Sequence, residues 1–321
     1  MQLLIILISL LSLPLSSSCL SAPADTLVLE LERAVWLDSR GALNLSGLAL
    51  GNDGYLYFSD DNGPAPVGWQ PQNPVLLRIR LEDVLDSSKA NPRLEVLDAT
   101  GDNSPYSTMA ELGGKAHKFD LEGVAVAGDG KLWAVDERDR LLIEYDTGSG
   151  TMRQVAGYGK LSSWHEQLAS GRINNGFEGI ALLEDKLFLS NEMFPGLIVR
   201  YSVSGAVEIE PDTIFTIEGN HDITGLECNS GALYALGRSA SSIYRMDPET
   251  GEVTAVASFS REGDHPRYRY AQRMDHYRNS EGLAVGGGRI FIVLDGNFQP
   301  CLENGNQRLP LLLIYKRPDG F

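Results

Sequence analysis

The chain has 321 residues, of which 43% are hydrophobic and 22% charged, ordinary proportions for a soluble globular protein. Its formal net charge of −16 excludes nucleic acid as a natural partner, because phosphate binding needs a basic surface. Clustered acids can instead hold a hard cation such as calcium. The 34 glycines favour many strands joined by tight turns.

Residues 1–24 carry no charge and contain an apolar run with the length of a signal-peptide core, too short for a comfortable membrane span. Ala22-Pro23-Ala24 offers a small-residue cleavage site, which would leave a single mature domain over residues 25–321. Alternatively, Ser16-Ser17-Ser18-Cys19 is similar to a lipoprotein box, and lipid on Cys19 would then be the attachment to a membrane. Both alternatives predict export, to the periplasm or the medium.

One pattern occurs five times along the chain. Each copy has a lead residue followed by a glycine and, ten or eleven residues after the lead, an aromatic residue in a strand-like run. Turns rich in Gly, Asn and Asp separate the two parts, so each copy predicts a β-hairpin. The copies begin at Ser46-Gly47-Leu48-Ala49, Glu122-Gly123-Val124-Ala125, Glu178-Gly179-Ile180-Ala181, Thr224-Gly225-Leu226-Glu227 and Glu281-Gly282-Leu283-Ala284, and their aromatics are Tyr57, Trp133, Phe188, Tyr234 and Phe291.

A third strand follows in every copy, and a fourth is visible in the first four copies. Four strands per unit at this spacing are typical of propeller blades, so we predict an all-β fold, a five-bladed β-propeller. The segment Leu27–Leu37 can complete the last blade by pairing with Leu311–Lys316, which would close the ring and remove an open sheet edge. A β-sandwich with accidental internal similarity is the alternative. Cys228 and Cys301 fall near opposite faces of the propeller, so we expect no disulfide between them.

The first strand of a propeller blade lines the central channel, and the loop before it lies on the same face as the end of the second strand. The lead residues therefore surround one opening, the channel mouth: Ser46, Glu122, Glu178, Thr224 and Glu281. The second strands end on the same face four residues beyond the aromatics, at Asp61, Glu137, Glu192, Arg238 and Asp295.

The acids of this mouth predict a calcium site. So many carboxylates around a narrow opening would repel one another, and calcium takes six to eight oxygen ligands. The predicted metal ligands are Glu122, Glu178, Glu281, Asp61, Glu137, Glu192 and Asp295. The alternative is that each lead glutamate hydrogen-bonds to the backbone of the neighbouring blade.

All five histidines lie in the loops that precede the first strands. A neutral imidazole can take a proton from a metal-bound water, so the candidate bases are His117, His165, His221 and His276. The loop Arg261–Arg278 also carries five arginines, which can bind phosphate or carboxylate groups. The candidate substrate-binding residues are Arg238, Ser46, Thr224, Arg267 and Arg269. A solvated loop whose arginines pair with local acids is the alternative.

The motif series resembles the SdiA-regulated family of bacterial envelope propellers. The closest stretches are Asp120-Leu121-Glu122-Gly123, Asp136-Glu137-Arg138-Asp139 and Asn175-Gly176-Phe177-Glu178-Gly179. The same segments are similar to the phytase-like domain described as having esterase-like activity. The resemblance implies a propeller with a metal-binding mouth and leaves the substrate open. Departures from the SdiA-regulated pattern are the insertion Asn62–Pro74, the arginine-rich loop and Thr224.

Three functions are compatible with these features. The first is an exported, monomeric calcium-binding propeller that holds a small ligand or an envelope partner at the channel mouth. The second is a calcium-dependent hydrolase of an ester, lactone or phosphoester. The third is a purely structural or interaction propeller. The sequence has no G-x-S-x-G, Walker, dinucleotide or H-E-x-x-H motif, which favours binding over catalysis.

Overall fold

The computed structural model describes residues 26–38, 44–61, 76–97, 120–128, 130–137, 141–156, 176–191, 196–204, 208–219, 222–263, 265–271, 279–296 and 299–321. The regular secondary structure of these residues is almost entirely β-strand, with two short helices, α1 (Leu81–Leu85) and α2 (Ser260–Gly263). Neither helix is long and apolar enough to cross a bilayer. The predicted signal peptide and Cys19 lie outside the described residues.

The described strands form five sheets, and the predicted five-bladed propeller is confirmed. The chain begins with β1 (Thr26–Val28) and β2 (Glu30–Trp36). Blade 1 contains β3 (Leu45–Leu50), β4 (Tyr55–Asp60), β5 (Leu76–Arg80) and β6 (Glu95–Leu97). Blade 2 contains β7 (Leu121–Val126), β8 (Lys131–Asp136), β9 (Leu141–Asp146) and β10 (Met152–Ala156). Blade 3 contains β11 (Phe177–Leu183), β12 (Lys186–Asn191), β13 (Leu197–Ser204) and β14 (Glu208–Thr216).

Blade 4 contains β15 (Ile223–Asn229), β16 (Ala232–Gly237), β17 (Ser242–Met246) and β18 (Val253–Ser258), and blade 5 contains β19 (Ser280–Gly286), β20 (Arg289–Leu294) and β21 (Leu311–Lys316). The N-terminal segment is divided between these two blades. Strand β2 pairs antiparallel with β21 and is the fourth strand of blade 5. Strand β1 instead pairs in parallel with β18 of blade 4. The segment expected as one strand, Leu27–Leu37, is therefore two strands that tie neighbouring blades together.

Neighbouring blades are joined by hydrophobic cores, one at each of the five boundaries. The aromatic residue of each repeat packs in the core between its own blade and the next one. The five are Tyr57, Trp133, Phe188, Tyr234 and Phe291, and all but Trp133 are at most 2% exposed. Burial of a large aromatic side chain stabilises each boundary, which explains why the repeat keeps an aromatic at this position.

The glycine of each repeat lies against the backbone of the next blade's first strand. A Cβ atom at Gly47 would lie 2.6 Å from the Val124 nitrogen, and one at Gly123 would lie 2.5 Å from the Glu178 carbonyl oxygen. The series continues around the ring through Gly179 to Leu226, Gly225 to Leu283, and Gly282 to Leu48, with distances of 2.9, 2.9 and 2.7 Å to the backbone nitrogens. Glycine is required here because only a residue without Cβ allows such close backbone contact.

Cys228 lies on β15 and is partly buried, whereas Cys301 is buried and lies in the segment that connects β20 to β21. The two thiols are not bonded to one another. The Sγ atom of Cys301 lies 3.1 Å from the carbonyl oxygen of Arg267, so this thiol packs against the backbone of the arginine-rich loop.

We predict that Gly123→Ala destabilises the propeller by about 1–3 kcal/mol, because the new methyl group meets backbone that cannot move alone. Gly305→Ala is the matched control, since no atom lies within 4 Å of the Cβ position there. Chemical denaturation followed by circular dichroism measures both. Equal stability of Gly123→Ala and the wild type would show that the first strands tolerate wider spacing.

Candidate functional site

Each first strand has an irregular register at its lead residue. In blade 2, Leu121 pairs with Asp136 and Gly123 pairs with Val135, so Glu122 is the extra residue of a β-bulge. A bulge interrupts the ladder and redirects the side chain of the extra residue. All five lead residues are at most 8% exposed: Ser46, Glu122, Glu178, Thr224 and Glu281.

Three carboxyl groups meet at the boundary between blades 1 and 2. One oxygen each of Asp61, Asp120 and Glu122 lies within 4.8 Å of the others, and we call this group the carboxylate triad. The Asp61 N–H donates to the Asn44 carbonyl oxygen at 2.8 Å, and the Glu137 N–H donates to the Asp120 carbonyl oxygen at 2.8 Å. Backbone hydrogen bonds therefore fix the loops that carry the triad.

The triad holds its carboxyl groups in an environment that disfavours negative charge. Burial raises the pKa of Glu122 well above its ordinary value, and the charges of Glu178, Asp61, Glu137 and Asp120 raise it further. Burial also raises the pKa of Asp61, as do the hydrogen bond that its protonated carboxyl group donates to Asp120 and the charges of nearby carboxylates. Carboxylates this close do not all ionise without a compensating cation.

Two more predicted ligands extend the triad toward blade 3. The Glu137 side chain accepts a hydrogen bond from the Gly176 N–H at 3.3 Å, immediately before β11. Glu178, the lead residue of blade 3, is the largest charge contribution to the raised pKa of Glu122. We call the five residues Asp61, Asp120, Glu122, Glu137 and Glu178 the acidic arc. Asp295 is buried beside it, since its charge also raises the pKa of Asp61.

Blades 4 and 5 differ because their predicted site residues bind one another. The Arg238 Nη1 atom donates to both carboxylate oxygens of Glu281, at 2.8 and 2.9 Å, and its Nε atom donates to Asp222 at 3.1 Å. The Thr224 hydroxyl donates to the Ser280 carbonyl oxygen of blade 5 at 2.9 Å. A hydrogen bond to the backbone of the neighbouring blade was the alternative role for the lead glutamates. The lead threonine, Thr224, makes such a bond.

The last residues of second strands β4 and β12 support the loops. The Asp60 carboxylate accepts the Asn44 N–H at 2.8 Å, and the Asn191 side-chain oxygen accepts the Leu197 N–H at 2.7 Å. Burial raises the pKa of Asp60 to about 7. By accepting these backbone N–H groups, the two side chains fix the position of the chain segments at the mouth.

A further acid occupies the channel below the mouth. Glu227 lies on β15, where the other four repeats have alanine. Its carboxylate accepts hydrogen bonds from the backbone N–H groups of Cys228, Leu50 and Val285, which belong to blades 4, 1 and 5. The residue keeps some exposed surface, but its carboxyl group is enclosed by these strands, and desolvation raises its pKa to about 8.

The arginine-rich loop is described up to Ala271. Arg267 is exposed, and its guanidinium lies 5.8 Å from the centre of the Tyr268 ring. Arg269 is partly buried. Arg261 lies 3.8 Å from Glu262, one of the local acids expected to pair with these arginines. A role of Arg267 and Arg269 in substrate binding stays a prediction.

Several predicted site residues lie outside the described residues, and their roles also stay predictions: His117, His165, His221, His276 and Glu192. Sequence reasoning missed Asp120, Asp222 and Glu227. The first two stand two residues before a lead residue, and Glu227 replaces a repeated alanine. The signal that could have identified these residues was an acidic side chain at a repeat position where other copies have an uncharged residue.

From the raised pKa values of the buried acids, we predict that the free energy of unfolding falls as pH rises when no metal is bound. Between the ordinary carboxyl pKa and the raised values of about 7 for Asp60 and about 8 for Glu227, the folded chain keeps protons that the unfolded chain releases. Thermal unfolding in chelator should therefore give a melting temperature at about pH 8.5 that is about 5 °C or more below that at about pH 5. Glu227→Gln should reduce the slope. A melting temperature that rises over this interval would contradict the inferred burial.

The family model described as "Phytase-like: Esterase-like activity of phytase" matches residues 40–194, which contain blades 1 and 2 and the first two strands of blade 3. A comparison with curated proteins finds no match. The resemblance to the SdiA-regulated family stays a prediction.

Among solved structures, glutaminyl cyclase of Myxococcus xanthus is 17% identical with a TM-score of 0.56, and the match covers 92% of this chain and 100% of that one. The PQQ-bound aldose sugar dehydrogenase of Streptomyces coelicolor is 14% identical with a TM-score of 0.49, covering 92% and 99%. The calcium-binding protein regucalcin of Agrobacterium tumefaciens is 12% identical with a TM-score of 0.46, covering 92% and 97%. The first likeness supports the fold alone, and the other two are too distant to support an inference. The chain is therefore a five-bladed β-propeller whose residues 40–194 match the phytase-like family model.

Proposed function

We propose that this protein is a calcium-binding propeller that holds a small ligand or an envelope partner at its channel mouth. The observation that carries the proposal is the carboxylate triad, whose oxygens lie within 4.8 Å of one another. Carboxylate oxygens are the ligands that calcium prefers, and its flexible coordination suits side chains from different blades. A bound cation would also relieve the repulsion that raises the pKa of Glu122.

The donor set fits calcium. The triad offers carboxylate oxygens alone, whereas zinc and copper favour imidazole or thiolate ligands. The side-chain oxygen of Asn44 is buried and has no hydrogen-bond partner among the described residues. Asn44 is next to the triad, because its carbonyl oxygen accepts the Asp61 N–H. An amide oxygen is a further calcium ligand.

Ligand capture follows from the number of oxygens. Three carboxylates supply three to six oxygens, and calcium takes six to eight, so water or a ligand oxygen can complete the shell. Calcium prefers oxygen ligands, so the open coordination positions favour a ligand that presents oxygen to the metal. The chemical class expected at the mouth is therefore a carbonyl, carboxylate or phosphate compound.

Calcium in the millimolar range should raise the melting temperature, because a ligand that binds only the folded state stabilises it by about 2.7 kcal/mol at a hundred times its Kd. Glu122→Gln should remove most of this response. Glu227→Gln is the control, since it also removes a buried carboxyl group of the channel but lies outside the triad. A melting temperature that is the same in calcium and in chelator would refute the proposal and favour a purely structural propeller.

A calcium-dependent hydrolase is the second candidate, favoured by the description of the matching family as having esterase-like activity. A calcium ion would polarise a carbonyl or phosphoryl oxygen. The predicted bases are His117, His165, His221 and His276, of which His117 is the first to test because it precedes the lead residue Glu122 by five positions.

The purified protein should then hydrolyse an aryl ester, a lactone or an aryl phosphate in calcium but not in chelator. His117→Ala should lower turnover by about 10²-fold or more, because general-base catalysis contributes at least that much. His265→Ala is a control, because His265 is exposed and its Nδ1 atom already accepts the Arg267 N–H at 3.1 Å. Absence of turnover on all three classes would leave binding as the function.

We also propose that the protein is exported to the periplasm or the medium and acts as a monomer. The uncharged, apolar segment of residues 1–24 supports export. Removal of this segment, or lipid on Cys19, are the two alternatives for its processing.

A further inference from the structure

Equivalent positions of the repeat differ between two blade boundaries. The positions compared are the residue after one second strand, the residue two positions before the next lead residue, and that lead residue. Between blades 1 and 2 these are Asp61, Asp120 and Glu122, and between blades 4 and 5 they are Arg238, Asn279 and Glu281. The first boundary therefore has three acids, whereas the second has one acid and one permanent cation.

The cation of blades 4 and 5 is firmly held. Arg238 is 5% exposed, and it contacts Glu281 of blade 5 through Nη1 and Asp222 of its own blade through Nε. The other Asp222 carboxylate oxygen accepts the Ser239 N–H at 2.8 Å. A guanidinium does not lose its proton in proteins, so the charge of Glu281 is compensated at every physiological pH.

We infer that Arg238 is the internal counter-cation of the mouth. It has the role between blades 4 and 5 that the proposed calcium ion has between blades 1 and 2. Cation binding is thereby confined to the acidic arc. The inference rests on the proposed calcium site. It reassigns two residues: Glu281 is an ion-pair partner of Arg238 rather than a metal ligand, and Arg238 is a positioning residue rather than a substrate-binding one.

The lead glutamates Glu122 and Glu281 provide the direct test. Calcium titration calorimetry on the folded chain should show binding that Glu122→Gln weakens by about tenfold or more, because the net charge of the ligands sets calcium affinity. Glu281→Gln should change the affinity by less than about twofold, since its carboxylate is already bound to Arg238. Equal weakening by both variants would overturn the inference while leaving calcium binding intact. A wild-type chain that binds no calcium overturns both the inference and the proposed function.

Replacement of the arginine provides a second readout. Arg238→Gln should gain a second calcium-binding event, because Glu281 and Asp222 lose their shared cation. Arg238→Gln combined with Glu281→Gln should lose that event, and Arg238→Lys, which keeps the charge, should bind calcium with the wild-type stoichiometry. Wild-type stoichiometry and affinity in Arg238→Gln would overturn the inference. If Arg238→Gln does not fold, the comparison of Glu281→Gln with Glu122→Gln decides.

Discussion

The close backbone contact between neighbouring first strands is the constraint on which the rest of the molecule depends. Each repeat glycine allows its strand to approach the next one so closely that a Cβ atom would lie within about 3 Å of backbone atoms. This spacing sets the width of the channel, and the irregular register at each lead residue turns its side chain toward the channel mouth. The mouth therefore brings its five lead side chains together at low exposure.

Burial at the mouth makes the ionised form of a carboxyl group unfavourable, so each carboxyl group there needs a proton or a nearby cation. Where the boundary holds only acids, as at Asp61, Asp120 and Glu122, burial and mutual repulsion raise the pKa values, so that protons or a metal must supply positive charge. Where one residue of the boundary is Arg238, the chain supplies that charge itself. The same backbone geometry thus leaves one boundary in need of a proton or a bound cation, whereas the other boundary has a cation that belongs to the chain.

The repeated scaffold explains how this asymmetry arises without change of fold. The glycines and aromatics maintain five similar boundaries, whereas the positions on the channel face vary freely between acid, amide, hydroxyl and guanidinium groups. Glu227 also departs from the repeat, because the other repeats have alanine at this position. Its carboxylate accepts hydrogen bonds from backbone N–H groups of three blades. The residues that differ among the repeats therefore make up the candidate site.

The repeat pattern alone indicated the number of blades, the channel face of each repeat and four of the five acids of the arc, because glycine and aromatic positions recur with the period of the packing that they form. Which of these acids lie next to one another was established by the folded structure. Asp120 joined the triad, Glu281 paired with Arg238, and the N-terminal segment divided between blades 4 and 5. These pairings depend on distances of a few ångströms between side chains far apart in the chain, and a one-dimensional pattern contains periods but no such distances.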